Sequence, residues 1–212
     1  MRTSRGFARL AVALCAAAVA AGAALAQPKD PDWPCVQRKV VHLSIGMMWT
    51  GPLPEDPHAW RDDPELAALA ARIAARRTGM EEVAALLAQV GPGPDAPRAE
   101  RLATLFSGVF ALIDAERARI VDGTTRYAQR QRALSERIDA AQAALAAAEA
   151  AAKPDDFDAL DAIEAQRDTL AWDVRIYEER NRSLTYVCES PVILEKRAFA
   201  VARAVMAEIE GG

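Results

Sequence analysis

From Leu160 to Leu184 the side chains Leu160, Ile163, Arg167, Leu170, Val174, Tyr177, Asn181 and Leu184 recur in steps of three and four residues. A strand repeats every two residues and cannot gather this set on one face. A helix packed along another helix can, through a 3.5-residue seam, and the polar entries Arg167 and Asn181 lower stability there while fixing register. Upstream, no proline interrupts the chain between Pro97 and Pro154, and Phe106, Ile113, Ile120, Tyr127 and Leu134 recur every seven residues. Gly123, in "VDGTT", is the weak point at which this helix would kink. The tight turn "KPDD" (153–156) between two such stretches implies an antiparallel hairpin over about 97–187. Counting back along it puts Cys188 beside residues 119–123, at the base.

The remaining elements are shorter. Asp63-Pro64 supplies an N-cap and a first-position proline for a helix striped by Leu66, Leu69, Ala70 and Ile73. Thr78 with Glu81 reads as a capping box for a second helix, and "GPGPDAP" (91–97) ends it. Ser190-Pro191 repeats the cap-plus-proline pattern, so a separate terminal helix is expected over 190–209. Residues 27–63 read as extended or irregular, with alternating Val41, Leu43, Ile45 and Met47 predicting one short strand. The expected fold is all-α: a helical bundle (64–212) with a long antiparallel coiled-coil hairpin and an extended N-terminal strap. The short helices, the terminal helix and the opening stretch should gather at the base.

Residues 1–26 stand apart. Arg2, Arg5 and Arg9 precede an apolar run from Leu10 to Leu25, and Ala24-Leu25-Ala26 is a small-residue cleavage signature. This is the pattern of a cleaved signal peptide, which implies an exported, periplasmic protein. Cleavage removes three arginines and no acids, leaving 23 basic against 30 acidic residues, a net charge of −7. Such a balance excludes nucleic acid as a partner, since phosphate binding rests on Lys and Arg. No later run is long and apolar enough to span a membrane. Cleavage also removes Cys15, and in an oxidising compartment the remaining pair, Cys35 and Cys188, is expected to form a disulfide.

Signatures of chemistry are sparse. "FSGVF" lacks the G-x-S-x-G of a nucleophile elbow, and "GPGPD" lacks the Gly-Lys-Ser/Thr of a phosphate loop. Asp155, Asp156, Asp158 and Asp161 lack the glycine and glutamate of a calcium loop and read as first-turn acids offsetting a helix dipole. Arg126, Arg130 and Arg132, like Arg175, Glu178 and Glu179, read as solvated faces. The alanine run 140–153 reads as a thin helix in close contact with its neighbour. No catalytic set or cofactor is indicated. One stretch, "DWPCVQRKVVHLSIGMMWTGP" (32–52), holds ligand-like types. His42, Met47 and Met48, with His58 downstream, would suit copper, but their spacing matches no strong metal pattern. Packing of Met47, Met48 and Trp49 is the simpler expectation. Val41, Leu43, Ile45 and Trp49 are the candidate contacts for a partner.

The layout loosely resembles periplasmic adaptors and tentacle-type chaperones. Holdases of that kind are strongly basic, unlike this chain, and no motif assigns a family. The expectation is a non-enzymatic periplasmic interaction protein that binds a protein partner, or itself, through its hairpin. A copper-handling protein and a holdase-type chaperone are the alternatives.

Overall fold

Asp63 opens the helical part of the chain. Its Oδ1 accepts the backbone N–H groups of Glu65 (2.9 Å) and Leu66 (3.2 Å), and Pro64 takes the first position of α1 (Pro64–Ala74). The expected capping box of α2 (Met80–Ala88) does not form, because Gly79 is the N-cap. The buried Thr78 instead donates its hydroxyl to the Arg72 carbonyl at 2.6 Å, one of the acceptors α1 leaves open at its end. Two very long helices follow: α3 (Arg98–Ala151, 54 residues) and α4 (Phe157–Gly211, 55 residues). In this computed structural model residues 30 and 32–211 are described, and the export segment read from residues 1–26 lies outside them.

The terminal helix is not separate. α4 runs unbroken through Pro191, where a proline removes a helix hydrogen bond at a cost of about 3 kcal/mol. Pro191 is buried, and the helix beyond it carries Leu194, Ala198, Val201 and Val205 into the core. The core beyond Pro191 thus overrides the local stop signal. Gly123 likewise lies inside a continuous helix, with Thr124 and Thr125 bonding back to the Ile120 and Val121 carbonyls at 2.9 and 3.2 Å.

α3 and α4 form the expected antiparallel hairpin, and side chains record its register from end to end. Arg167 pairs with Glu149 near the turn at 2.6 Å, and Arg137 meets Asp173 at 2.6 Å. Lower down, Gln131 reaches the Tyr177 carbonyl at 3.2 Å, and Arg98 meets Glu208 at 2.5 Å at the far end. Asp156 caps α4 by accepting the Ala159 N–H at 3.1 Å, so an acid of the turn has a structural task.

The core sits at one end. There α3 (Leu102, Leu105, Phe106, Val109, Ile113) and the last turns of α4 meet α1 (Leu66, Ala70, Ile73) and α2 (Val83, Leu87). Gly108 lets the Trp60 ring lie directly on α3: a Cβ there would stand 2.7 Å from the ring. Arginines close the exposed helix ends. Arg98 donates to the Val90 carbonyl at 2.9 Å and the Glu208 carbonyl at 2.8 Å, while the Arg197 Nε donates to the Ile73 carbonyl at 3.1 Å. Farther out, the buried large apolar side chains of the hairpin are Val121, Leu134, Ile138 and Ile163. Each contributes about 1.5–3 kcal/mol, so the outer arm is held by far fewer contacts than the base. The hairpin therefore projects from the base and does not fold back into a four-helix bundle.

Candidate functional site

The opening stretch does not simply cover the base. It climbs the hairpin as a strap antiparallel to α3. Asp32 lies highest, bonded to Gln129 (2.8 Å) and paired with Arg132. His42 and Leu43 reach Asp114, and Trp49 stacks on Phe106 with ring centroids 4.5 Å apart. Arg132 is therefore a fastening for the strap that still lies on the exposed face. Arg126 and Arg130 are exposed, as expected. Arg175 and Glu178 also keep to the surface, paired within the helix with Glu179 and Arg182.

The predicted strand is absent; residues 40–44 are irregular and Ile45–Met47 is a single 3-10 turn. The alternation is nonetheless a real signal. Val41, Leu43 and Ile45 are half-buried while His42, Ser44 and Gly46 face outward, as in any extended chain lying on a surface. Here the surface is a helix, so side chains replace a neighbouring strand. Asp114 accepts the Leu43 N–H at 2.7 Å, and Arg117 donates to the carbonyls of Val40 and Val41 (3.2 Å to the second). These bonds engage the Leu43 N–H and the Val40 and Val41 carbonyls on α3.

The cysteine arithmetic holds. Cys35 and Cys188 form a disulfide across 153 residues, with Cα atoms 5.5 Å apart, and Val121 lines the same cleft as Cys188, close to the level counted from the hairpin. Arg117 carries a signal that its charge masks. It stands four residues after Ile113 and three before Ile120, on the apolar stripe of α3, and is only 5% exposed beneath the strap. Its nearest acid, Glu195, stands 3.7 Å away, and its Nε has no partner among the described residues.

Between the strap and α4 lies a cleft of about 630 Å³. Met47 and Met48 line it from the strap, Val121 from α3, and Pro191, Val192 and Phe199 from α4. Met48 and Trp49 are buried, as packing predicts, but Met47 is not: it is 74% exposed because the 3-10 turn aims it away from the core. His42 borders this cleft, its Nδ1 2.8 Å from the Asp114 carboxylate. His58 is not part of it; it is exposed and precedes a second 3-10 turn, Ala59–Arg61. The four candidate copper ligands are thus not one set.

The seam residues divide by depth. Ile163 is buried, Leu170, Val174, Tyr177 and Leu184 are half-buried, and Arg167 and Asn181 lie at the exposed edge. Arg167 bridges the arms through Glu149, consistent with a register-fixing role. Leu160 is 40% exposed, and near it at the turn Phe157 is 74% exposed. About four turns from Phe157 along α4, Trp172 is 64% exposed, with the Arg175 guanidinium 5.7 Å from its ring. No helix of the described residues is long and apolar enough to cross a membrane. The chain matches no protein-family model, no curated protein and no solved structure.

Proposed function

We propose that this protein is an exported, non-enzymatic helical scaffold that acts in the periplasm and contacts a protein partner, or a second copy of itself, through the outer part of its hairpin. The observation that carries this reading is the exposure of Phe157, Leu160 and Trp172 on the outer arm, beyond the core at the base. Exposed apolar and aromatic side chains on a helix in water suit contact with another helix or groove. The export pattern of residues 1–26 and the Cys35–Cys188 pairing both favour an oxidising compartment.

Site-specific photocrosslinking in cells tests the reading. A crosslinker at Phe157 or Trp172 should capture a discrete protein product, and Phe157→Asp with Leu160→Asp should abolish the capture from Trp172. The same product from a crosslinker at Glu81, on the outer face of α2, would argue against the hairpin as the contact element.

A further inference from the structure

We infer that the cleft between the strap and α4 binds a small amphipathic anion: a single aliphatic chain ending in a carboxylate. The chain would lie against Met47, Val192 and Phe199, and the carboxylate would be met by Arg38 and Lys196. At about 630 Å³ the cleft falls within the roughly 300–1,000 Å³ typical of small-molecule sites. Its walls are mainly apolar, and Met47 is left largely in water at its rim. That exposure adds nothing to folding, whereas a flexible thioether adapts well to an aliphatic chain.

Charge selects the ligand's sign. The chain as a whole is acidic, yet the cleft carries Arg38, Arg117 and Lys196 against the single acid Glu195. His42 at the rim is already held by Asp114. Among the described residues Arg38 and Lys196 have no ion-pair or hydrogen-bond partner, although most arginines of the base are engaged. Arg117 adds a buried charge behind them, only loosely matched by Glu195 at 3.7 Å. Two uncompensated cations beside an apolar trough complement an anionic head on an apolar tail. A nucleotide or sugar phosphate would leave polar groups against the Met, Val and Phe walls without partners.

Calorimetry with the exported chain, its disulfide intact, tests this using dodecanoate and dodecyltrimethylammonium, both below their micelle concentrations. Dodecanoate should bind at one saturable site, about ten-fold or more tighter than the cation. Arg38 and Lys196 are exposed and unpartnered, so R38E/K196E should keep the fold while weakening dodecanoate by about ten-fold and reversing the preference. Equal affinity for the two detergents would overturn the proposal, leaving only a sticky surface. So would an absence of saturable binding, or dodecanoate binding unchanged in R38E/K196E.

Discussion

Arg117 shows how much of this fold depends on single side chains that join elements. It lies almost fully buried under the strap and donates to the carbonyls of Val40 and Val41. Removing it breaks these hydrogen bonds from a charged donor, so Arg117→Ala should cost about 2–3 kcal/mol, read as a lower urea midpoint of the oxidised chain. Acidic residues fasten the other ends. For Asp63, burial pushes the carboxyl up, but the Leu66 amide, the Arg101 guanidinium and the Glu65 amide together hold it below the ordinary carboxylate value. Asp32 is lowered by its bond from Gln129 and then by Arg132. Both groups bind protons more readily when the chain is unfolded. Their stabilisation is therefore complete above about pH 4, the unfolded value, and is lost as pH falls through the lower folded values. Across that window the urea midpoint of the native chain should fall more steeply than that of Asp63→Asn, which keeps a cap without the titrating charge. The Asp63 cap is legible in the sequence because Asp-Pro before an apolar stripe has few other meanings. Arg117 is legible only in part: its spacing from Ile113 and Ile120 puts it on the apolar stripe of α3, but nothing there says that a distant strap will cover it.

At the level of elements, the two arms are plain from periodicity and the absence of proline, and the turn between them from "KPDD". Local signals mislead where they meet a stronger distant one. Ser190-Pro191 has the grammar of a helix start, but α4 runs on through it into the core that Leu194, Ala198, Val201 and Val205 enter beyond it. This has a measurable consequence. In a continuous helix, Pro191→Ala restores a backbone donor worth about 3 kcal/mol and loses roughly 1–2 kcal/mol of buried ring. The variant should gain about 1–2 kcal/mol, seen as a raised thermal midpoint. Were Pro191 the first residue of a separate helix, its replacement would bring no gain. The strap differs from the expected strand for a related reason. Period-two alternation reports an extended chain with one side covered, and it is silent on whether a strand or a helix does the covering.

At the largest scale, the unit from Asp32 onward is a small helical core at one end of a long hairpin, with a strap laid along the hairpin and closed by Cys35–Cys188. That closure is legible from the sequence, because the expected cleavage leaves Cys35 a single possible mate within the chain. The cleft beside it is not legible, because its two walls lie some 150 residues apart in sequence. The strap is fastened to the hairpin as far as Asp32 and Arg132, and beyond that level the arms are bridged by pairs such as Arg137–Asp173 and Arg167–Glu149. That division underlies the functional proposal, since only a projecting arm leaves Phe157 and Trp172 free for a partner. Small-angle X-ray scattering from residues 27–212 as a monomer tests it most directly. A 54-residue helix α3 requires a largest dimension of at least about 80 Å, with a radius of gyration well above the roughly 16 Å of a compact globule of this size. A largest dimension near 50 Å with a radius near 16 Å would mean that the hairpin folds back on its base, and would contradict the projecting arm.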